Sequence, residues 1–285
     1  MSKAKVAIVT DSTANLPADL IEKHNIHVIP LHIHWETDDL LDGIDIKPSE
    51  FYRRLEASST LPTTSQPSVG EFAEFFKRVA ERAESIVGIF ISDRLSGTLA
   101  SARAAVDLLP DLPVALVDSE STAMGMGLIV LTAVRAAEQG YSHNEVAEIA
   151  RSVVPSARVL FVVDTLEYLH KGGRIGGAQR LFGSMLSIKP LLHLEEGEVR
   201  PLARIRTKKK AVRHLLDIVT QDSAGKVPAM LVVLSAAAGE EAAEVERSLA
   251  EQFPDTKVFI AAISPVVGVH TGPKALGVAY VVDNA

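Results

Sequence analysis

The sequence predicts an α/β protein with an N-terminal domain, whose mainly parallel sheet is flanked by helices, and a smaller α+β C-terminal domain with antiparallel strands. The first half alternates apolar runs with helical patterns four times, which is typical of parallel β-α-β units. In the second half, the polar turn 195–198 separates two apolar runs and predicts an antiparallel hairpin. The 285 residues are enough for two ordinary domains. We place the boundary near Pro155, giving an N-terminal domain over 1–156 and a C-terminal domain over 157–285.

The N-terminal strands and helices follow one another in a regular order. An apolar run at 6–9 predicts the first strand, and Pro17 begins the first helix. Residues 28–34 predict a second strand, in which Pro30 indicates an edge or a bulge. Pro48 begins the next helix, and a loop is expected at 58–67. The remaining elements are a helix capped by Ser68 with Phe72, Phe75, Phe76 and Val79 on one face, and strands at 86–91 and 114–117 that each precede a helix.

The C-terminal half begins with a strand at 159–163 and then a glycine-rich segment at 171–177. The hairpin strands fall at 191–194 and 199–205. After them we expect a strand at 230–234, a helix at 240–253, a strand at 258–263 and a last strand at 278–282.

Composition excludes several classes of protein. Hydrophobic residues make up 47% and charged residues 23%, which is typical of a folded globular chain. With no cysteine, there can be no disulfide, thiolate nucleophile or iron-sulfur cluster. No apolar stretch approaches the roughly 20 residues of a membrane helix. Residues 1–5 lead directly into the first strand pattern instead of a signal-peptide core, so we expect a cytoplasmic protein.

Hydroxyl residues follow three of the predicted parallel strands, in segments 10–13, 92–98 and 119–122. In a parallel sheet, ligands bind beyond the carboxyl ends of the strands, where helix N-termini attract anions. Each segment alone is equally well explained by helix capping. Their convergence on one cleft, together with the short side chains of 63–68, favours a site for a carboxylate or phosphate.

Other motifs leave alternatives open. His270 precedes a glycine-containing turn and either donates to an anion, acts as an acid or base, or is structural. The loop around Arg174 forms either an anion nest or only a tight turn. His32, His34 and the acidic residues of 38–45 could recruit a cation, but a solvated acidic loop is favoured. Gly125-Met126-Gly127 falls in a helical pattern, and the sequence contains no Walker A, nucleophile-elbow or His-Glu-x-x-His motif.

The net charge of −7 argues against general nucleic-acid binding. The distribution is uneven, because residues 165–215 carry 11 basic and 4 acidic side chains, a net +7. This basic region indicates an anionic ligand or an acidic protein partner. For 208–210, a solvated helix face is the alternative.

Seven segments in order along nearly the whole chain resemble the DegV family, bacterial proteins that bind long-chain fatty acids. Some members act as the fatty-acid-binding subunit, FakB, of a two-component fatty acid kinase. The matching segments are Ile8-Val9-Thr10-Asp11-Ser12-Thr13, Asp42-Gly43-Ile44-Asp45-Ile46, Thr64-Ser65-Gln66-Pro67-Ser68, Leu95-Ser96-Gly97-Thr98, Lys171-Gly172-Gly173-Arg174-Ile175, Arg206-Thr207-Lys208-Lys209-Lys210-Ala211 and His270-Thr271-Gly272-Pro273.

The resemblance implies one acyl chain in an apolar tunnel, with its carboxylate near the domain interface. The family's carboxylate contacts fall on Thr64 and Ser96, with His270 close to the head group. The adjacent Ser65, Gly97 and Thr98 belong to the same motifs, and we expect them to bind the carboxylate as well. Arg174 and Arg206 match positions that face the kinase in kinase-coupled members. The expected ligand is a long-chain fatty acid, with no cofactor, no metal, no nucleic acid and no integral membrane association.

The resemblance therefore implies a carrier that presents the carboxylate to an ATP-dependent kinase, for incorporation of the acyl group into phospholipid, and that is not itself an enzyme. The alternatives are a kinase or hydrolase of a small anionic metabolite, with His270 as acid or base near Asp11, and a lipid-sensing regulator. One departure is Lys274, where the family motif commonly continues Gly-Pro-Gly. It bears on head-group geometry or partner docking.

Overall fold

The computed structural model of the protein describes residues 3–224 and 228–282, with the backbone alone for 183–187. Met1 and Ser2, part of the predicted approach to the first strand, lie outside the described residues. The strands are β1 (Ala7–Asp11), β2 (His27–Ile29), β3 (His32–Trp35), β4 (Asp38–Leu41), β5 (Thr63–Ser65), β6 (Ile86–Phe90), β7 (Val114–Asp118), β8 (Ala157–Val162), β9 (Lys189–Glu195), β10 (Glu198–Ile205), β11 (Met230–Ser235), β12 (Lys257–Ala262) and β13 (Leu276–Val281).

The α-helices alternate with these strands, most regularly in the first half of the chain. They are α1 (Ala18–Lys23), α2 (Pro48–Ala57), α3 (Val69–Ala80), α4 (Thr98–Asp107), α5 (Ala123–Glu138), α6 (His143–Val153), α7 (Glu167–Lys171), α8 (Lys208–Asp222), α9 (Gly239–Gln252) and α10 (Pro265–Thr271). Short 3-10 helices occupy Ser12–Ala14, Val154–Ser156 and Gly176–Ser187.

The first sheet is parallel, as the repeated β-α pattern predicts, with strand order β2-β1-β6-β7. Its central strands β1 and β6 are buried along their whole length, which is typical of a parallel sheet covered on both faces. The helix predicted after Ser68 is confirmed as α3. It begins with a capping box between Ser68 and Glu71 and buries its phenylalanine face.

The second sheet has six strands in the order β10-β9-β8-β13-β11-β12. All its neighbours are antiparallel except β11 and β12, so the predicted antiparallel character is confirmed with one parallel pair at an edge. The predicted hairpin is β9-β10, which turns at Glu196 and Gly197, both at positive φ. Glycine favours this conformation because it has no Cβ to clash.

Two predictions for residues 28–67 are wrong. The single strand expected at 28–34 is two strands, because Pro30 ends β2 at the edge of the first sheet and β3 joins a separate sheet. The loop expected at 58–67 contains β5, which pairs antiparallel with β3 and places Thr64 opposite Ile33. The sequence 63–65 has no apolar pattern of its own, so the strand forms through its backbone hydrogen bonds to β3.

Helix α5 packs between the two large sheets and is buried almost throughout, since its residues contact strands of both halves. Gly125 permits this approach, because a Cβ there would lie 2.3 Å from Val159 Cγ2 of β8. One cluster of buried side chains includes Ile8 and Ile89 of the first half and Val232 and Leu234 of the second. The halves therefore share a core, and the boundary near residue 156 stays a prediction.

Candidate functional site

A cavity of about 850 Å³, counted with the open space at its mouth, lies where the two halves meet. Most of its wall is aliphatic and comes from both halves of the chain. The apolar lining residues are Leu31, Ile91, Leu95, Ala123, Val159, Phe161, Leu169, Leu194, Val199, Leu234, Ile263, Val266 and Val267. Such a wall suits the apolar part of a ligand.

The structure brings four of the predicted carboxylate-binding residues together on this wall: Thr64, Ser65, Ser96 and His270. They come from three distant elements, β5, the turn before α4, and α10. The segment containing His270 is helical, whereas sequence reasoning placed it between a strand and a turn. The expected convergence of short polar side chains on one cleft is therefore present in the structure.

His270 is the titratable side chain of these four, and its surroundings shift its pKa. Burial, and then the nearby Arg174 guanidinium, lower its pKa to about 4, so the imidazole is neutral at neutral pH. Its Nε2 lies 3.0 Å from Thr64 Oγ1, within hydrogen-bond distance. If Nε2 carries the proton and donates it, the Thr64 hydroxyl keeps its own hydrogen for a ligand in the cavity.

Ser96 is tied to Thr98 in the turn that begins α4. Their hydroxyl oxygens are 2.8 Å apart, and the Thr98 backbone N–H also donates to Ser96 Oγ at 3.4 Å. Thr98 is fully buried and does not line the cavity, so it supports Ser96. Gly97 lies against Gln66, because a Cβ at residue 97 would be 2.9 Å from Gln66 Nε2. Thus Ser96 faces the cavity, whereas Gly97 and Thr98 hold the turn.

The Thr64-Ser65 strand is fixed from its other side by β3. His34 Nε2 lies 2.8 Å from Ser65 Oγ, and His32 contacts Asp39 and Glu71. No group of three or more potential metal ligands is found among residues 3–224 and 228–282. In the structure, His34 contacts β5, and His32 contacts acidic residues of β4 and α3.

Arg174 lies on the cavity wall, beside the predicted carboxylate ligands. Its Nε donates to the Leu95 carbonyl at 3.0 Å and its Nη1 to the Gly172 carbonyl at 2.7 Å. Among the described lining residues, it carries the only charged side chain. Arg206, the second residue expected to face a partner, is exposed in the turn before α8 and does not line the cavity.

Asp11, which the sequence offered as a neighbour of His270, instead accepts hydrogen bonds from Thr13 and Ile91. It is fully buried, and desolvation raises its pKa. One of its oxygens accepts from the Thr13 N–H and hydroxyl, and the other from the Ile91 N–H. Asp11 lines a different cavity, whereas Thr13 and Ile91 line this one. It therefore positions the cavity wall and is not paired with His270 there.

The resemblance implied an apolar tunnel, but the sequence did not identify the residues of its wall, and Thr271 was not predicted to line it. Thr13 and Thr122 belong to the hydroxyl segments noted above, but both hydroxyls are already used. Thr13 donates to Asp11, and Thr122 Oγ1 donates to the Thr13 carbonyl at 3.4 Å. In β8, Val159 and Phe161 line the cavity, but residues 159–162 are all apolar, so the sequence does not show which of them face it.

Lys274 is exposed and adopts a positive φ of 61°, a conformation in which glycine is more common. Its carbonyl accepts from Lys208 Nζ at 2.7 Å, and its N–H donates to the Ala236 carbonyl. Lys274 does not line the cavity. The departure from the family motif thus affects a turn outside the cavity wall.

No helix in the described part of the chain is both long and apolar enough to cross a bilayer.

Comparison with known sequences shows one family across the chain. The model of the DegV family of uncharacterised proteins matches residues 5–283. A DegV domain-containing protein of Streptomyces coelicolor is 40% identical over 275 residues, covering 96% of this chain and 97% of its own. The DegV protein of Bacillus subtilis is 32% identical over 276 residues, covering 96% of this chain and 98% of its own.

Solved structures show the same fold. A DegV-family protein of Thermus thermophilus, described as binding fatty acid, has a TM-score of 0.91 at 33% identity and covers 98% of this chain and all of its own. DegV of Bacillus subtilis, described as a fatty acid binding protein, has a TM-score of 0.92 at 31% identity, and the match covers 99% of this chain and 100% of that one. A protein of Eubacterium ventriosum, described as binding stearic acid, has a TM-score of 0.88 at 28% identity, and the match covers 99% of this chain and 98% of that one.

Proposed function

Because the chain belongs to the DegV family, we propose that it binds a long-chain fatty acid in the cavity between its halves and presents the carboxylate to an ATP-dependent kinase. The single observation that carries this proposal is an aliphatic cavity with a cluster of neutral hydrogen-bond donors on its wall. The similar proteins described as fatty-acid-binding support the ligand class.

The aliphatic wall supplies the binding energy. Transfer of an alkyl chain from water contributes about 0.8 kcal/mol per methylene, so roughly 14 methylenes give a gross gain of about 11 kcal/mol. This exceeds the lower estimates, about 4 kcal/mol, of the free-energy cost of association. A small anionic metabolite would leave most of this wall in contact with water, which disfavours the alternative enzyme function.

The head group would be held by hydroxyls. Thr64 and Ser96 can each donate to a carboxylate oxygen, with His270 supporting Thr64. Arg174 adds positive charge nearby, but its Nε and Nη1 already donate to backbone carbonyls. Neutral donors suit a group that must react, because a close ion pair would stabilise the free carboxylate and oppose its conversion.

The reaction itself belongs to the partner. A carboxylate oxygen attacks the γ-phosphorus of ATP, the bond from that phosphorus to the bridging oxygen breaks, and ADP leaves with the electron pair. This gives an acyl phosphate. Exposed Arg206 lies in the basic region 165–215, which suits an acidic surface on the kinase.

Two variants test binding and presentation separately. Ser96→Ala should weaken fatty-acid binding, while Arg206→Ala should leave binding unchanged and slow acyl phosphate formation with the host's fatty acid kinase. Arg53→Ala, an exposed arginine on α2 outside the basic region, is the matched control. Binding is measured on delipidated protein, and acyl phosphate is trapped with hydroxylamine. Normal binding and normal coupling in both test variants would contradict the site assignment.

A further inference from the structure

A second cavity, of about 670 Å³ with its open mouth, adjoins the first at the proposed head-group site. The two cavities share Thr64, Arg174 and His270. The remaining residues that line the second cavity are Leu61, Pro62, Thr63, Tyr168, Lys171, Gly172 and Val269. Leu61, Thr63 and Lys171 are exposed, so this cavity gives access from solvent to the shared wall.

His270 has a second ring nitrogen, Nδ1, which lies on the side of the second cavity and has no hydrogen-bond partner among the described residues. While Nε2 contacts Thr64, Nδ1 lies close to Gly172, since a Cβ on that glycine would be only 2.2 Å away. Gly172 lines the second cavity and not the first. Nδ1 is buried and makes no hydrogen bond within the described part of the chain. The imidazole can therefore gain a proton and a partner on this side.

Two cations line the second cavity, Lys171 and Arg174. Lys171 Nζ lies 2.6 Å from Glu167, an exposed ion pair that an anion can reorganise at small cost. Glu56 and Glu167 also act on Tyr168, whose pKa is raised first by burial and then by Glu167. Because Glu167 offsets the charge of Lys171, the remaining positive charge at the second cavity is that of Arg174, on the wall shared with the head-group site.

We propose that the second cavity binds the phosphoryl group of the acyl phosphate while the acyl chain stays in the first cavity. This inference rests on the proposed function. A carboxylate held by Thr64 lies at the shared wall, so a phosphoryl group added to it needs adjacent space. The apolar part of the first cavity is occupied by the acyl chain and cannot supply this space, because burying a phosphate without partners is costly. The second cavity offers water, Lys171, Arg174 and His270 Nδ1.

A phosphate bound in the second cavity would also change the protonation state of His270. Its pKa is lowered by burial and by Arg174. A phosphate dianion beside Nδ1 opposes both effects, because it favours the charged imidazolium and offsets the guanidinium. His270 would then carry a proton on each nitrogen, donating one to Thr64 and the other to the phosphate.

The test compares two ligands with the same number of carbons, palmitate and hexadecylphosphonate, on delipidated protein. Lys171→Gln should raise the Kd of the phosphonate about threefold to fivefold, which corresponds to loss of one exposed charge contact. The Kd of palmitate should stay within about twofold. Lys77→Gln is the matched control, because Lys77 is also an exposed helical lysine paired with a glutamate, Glu74, at 2.8 Å. It should change neither affinity.

Nitrogen NMR of His270 at neutral pH gives a second readout, in which both ring nitrogens should be protonated with the phosphonate bound and only one with palmitate bound. An unchanged His270 signal, or a Lys171→Gln effect of equal size on both ligands, would overturn the inference. If wild-type protein binds palmitate but not the phosphonate, only the inference fails. If it binds neither ligand, the proposed function fails with it.

Discussion

Replacement of Ser96 by alanine should weaken fatty-acid binding by about tenfold to a hundredfold. The substitution removes a hydroxyl that faces the cavity between the two halves and leaves the apolar wall unchanged. Ser96 also contacts Thr98, with 2.8 Å between the two hydroxyl oxygens. That contact is lost in both the free and the bound protein, so it affects the stability of the fold more than the affinity for ligand.

The magnitude follows from the charge of the ligand. A hydrogen bond to a charged group contributes about 1.5–3 kcal/mol. Since about 1.4 kcal/mol corresponds to a tenfold change in Kd, the loss for palmitate is about tenfold to a hundredfold. For hexadecanol, which is uncharged, the bond contributes about 0.5–1.5 kcal/mol, so the loss should be tenfold or less.

Titration calorimetry on delipidated protein measures both affinities. Ser101→Ala is the matched control, because Ser101 lies on α4, the helix that follows Ser96, and does not line the cavity. It should leave both Kd values within about twofold of the wild type. Equal losses for palmitate and hexadecanol in Ser96→Ala, or no loss for palmitate, would refute the assignment of Ser96 to the carboxylate.

Further predictions concern the free energy of unfolding, measured by urea denaturation. Burial raises the pKa of Asp42 to about 6 from 3.8, so stability should fall by about 3 kcal/mol as pH rises through this interval, and Asp42→Asn should remove that fall. Burial lowers the pKa of His270 to about 4 from 6.5, so this group makes stability rise by about 3 kcal/mol with pH over that interval, and His270→Gln should remove the rise. The variant-minus-wild-type slope of stability against pH should be positive for Asp42→Asn and negative for His270→Gln, and the opposite sign in either variant would contradict that variant's assignment. Gly125→Ala should cost about 1–3 kcal/mol, because its Cβ would lie 2.3 Å from Val159 and 2.4 Å from Ser121. Gly70→Ala, in an open position on α3, should instead stabilise by up to about 1 kcal/mol, and a gain in both variants would show that α5 has room.

The regular part of the fold could be predicted because local patterns decide it. β1 and β6 are apolar along their length, and α3 begins with the capping box of Ser68 and Glu71. By contrast, β5 has no apolar pattern and forms only by pairing with β3. Helices α6 and α8 were not predicted as elements, although Ser142 and Glu145 form a capping box at the start of α6.

In the candidate site, too, local motifs could be predicted and contacts between distant residues could not. Thr64, Ser96 and His270 were identified from their motifs, and the structure places all three on one cavity wall. The hydrogen bond between Thr64 and His270 joins residues 206 positions apart, and no local pattern reveals it. Nor could the sequence show that Asp11 faces a different cavity from His270, because that depends on how the two halves pack.

The most direct test of the proposed function is native mass spectrometry of the purified protein, followed by denaturing extraction and identification of what is released. We expect one long-chain fatty acid per chain, and its length and unsaturation would define the ligand that the cavity between the halves selects. A protein that is isolated empty and fails to take up added palmitate or stearate would contradict fatty-acid binding and leave the family relationship as one of fold alone.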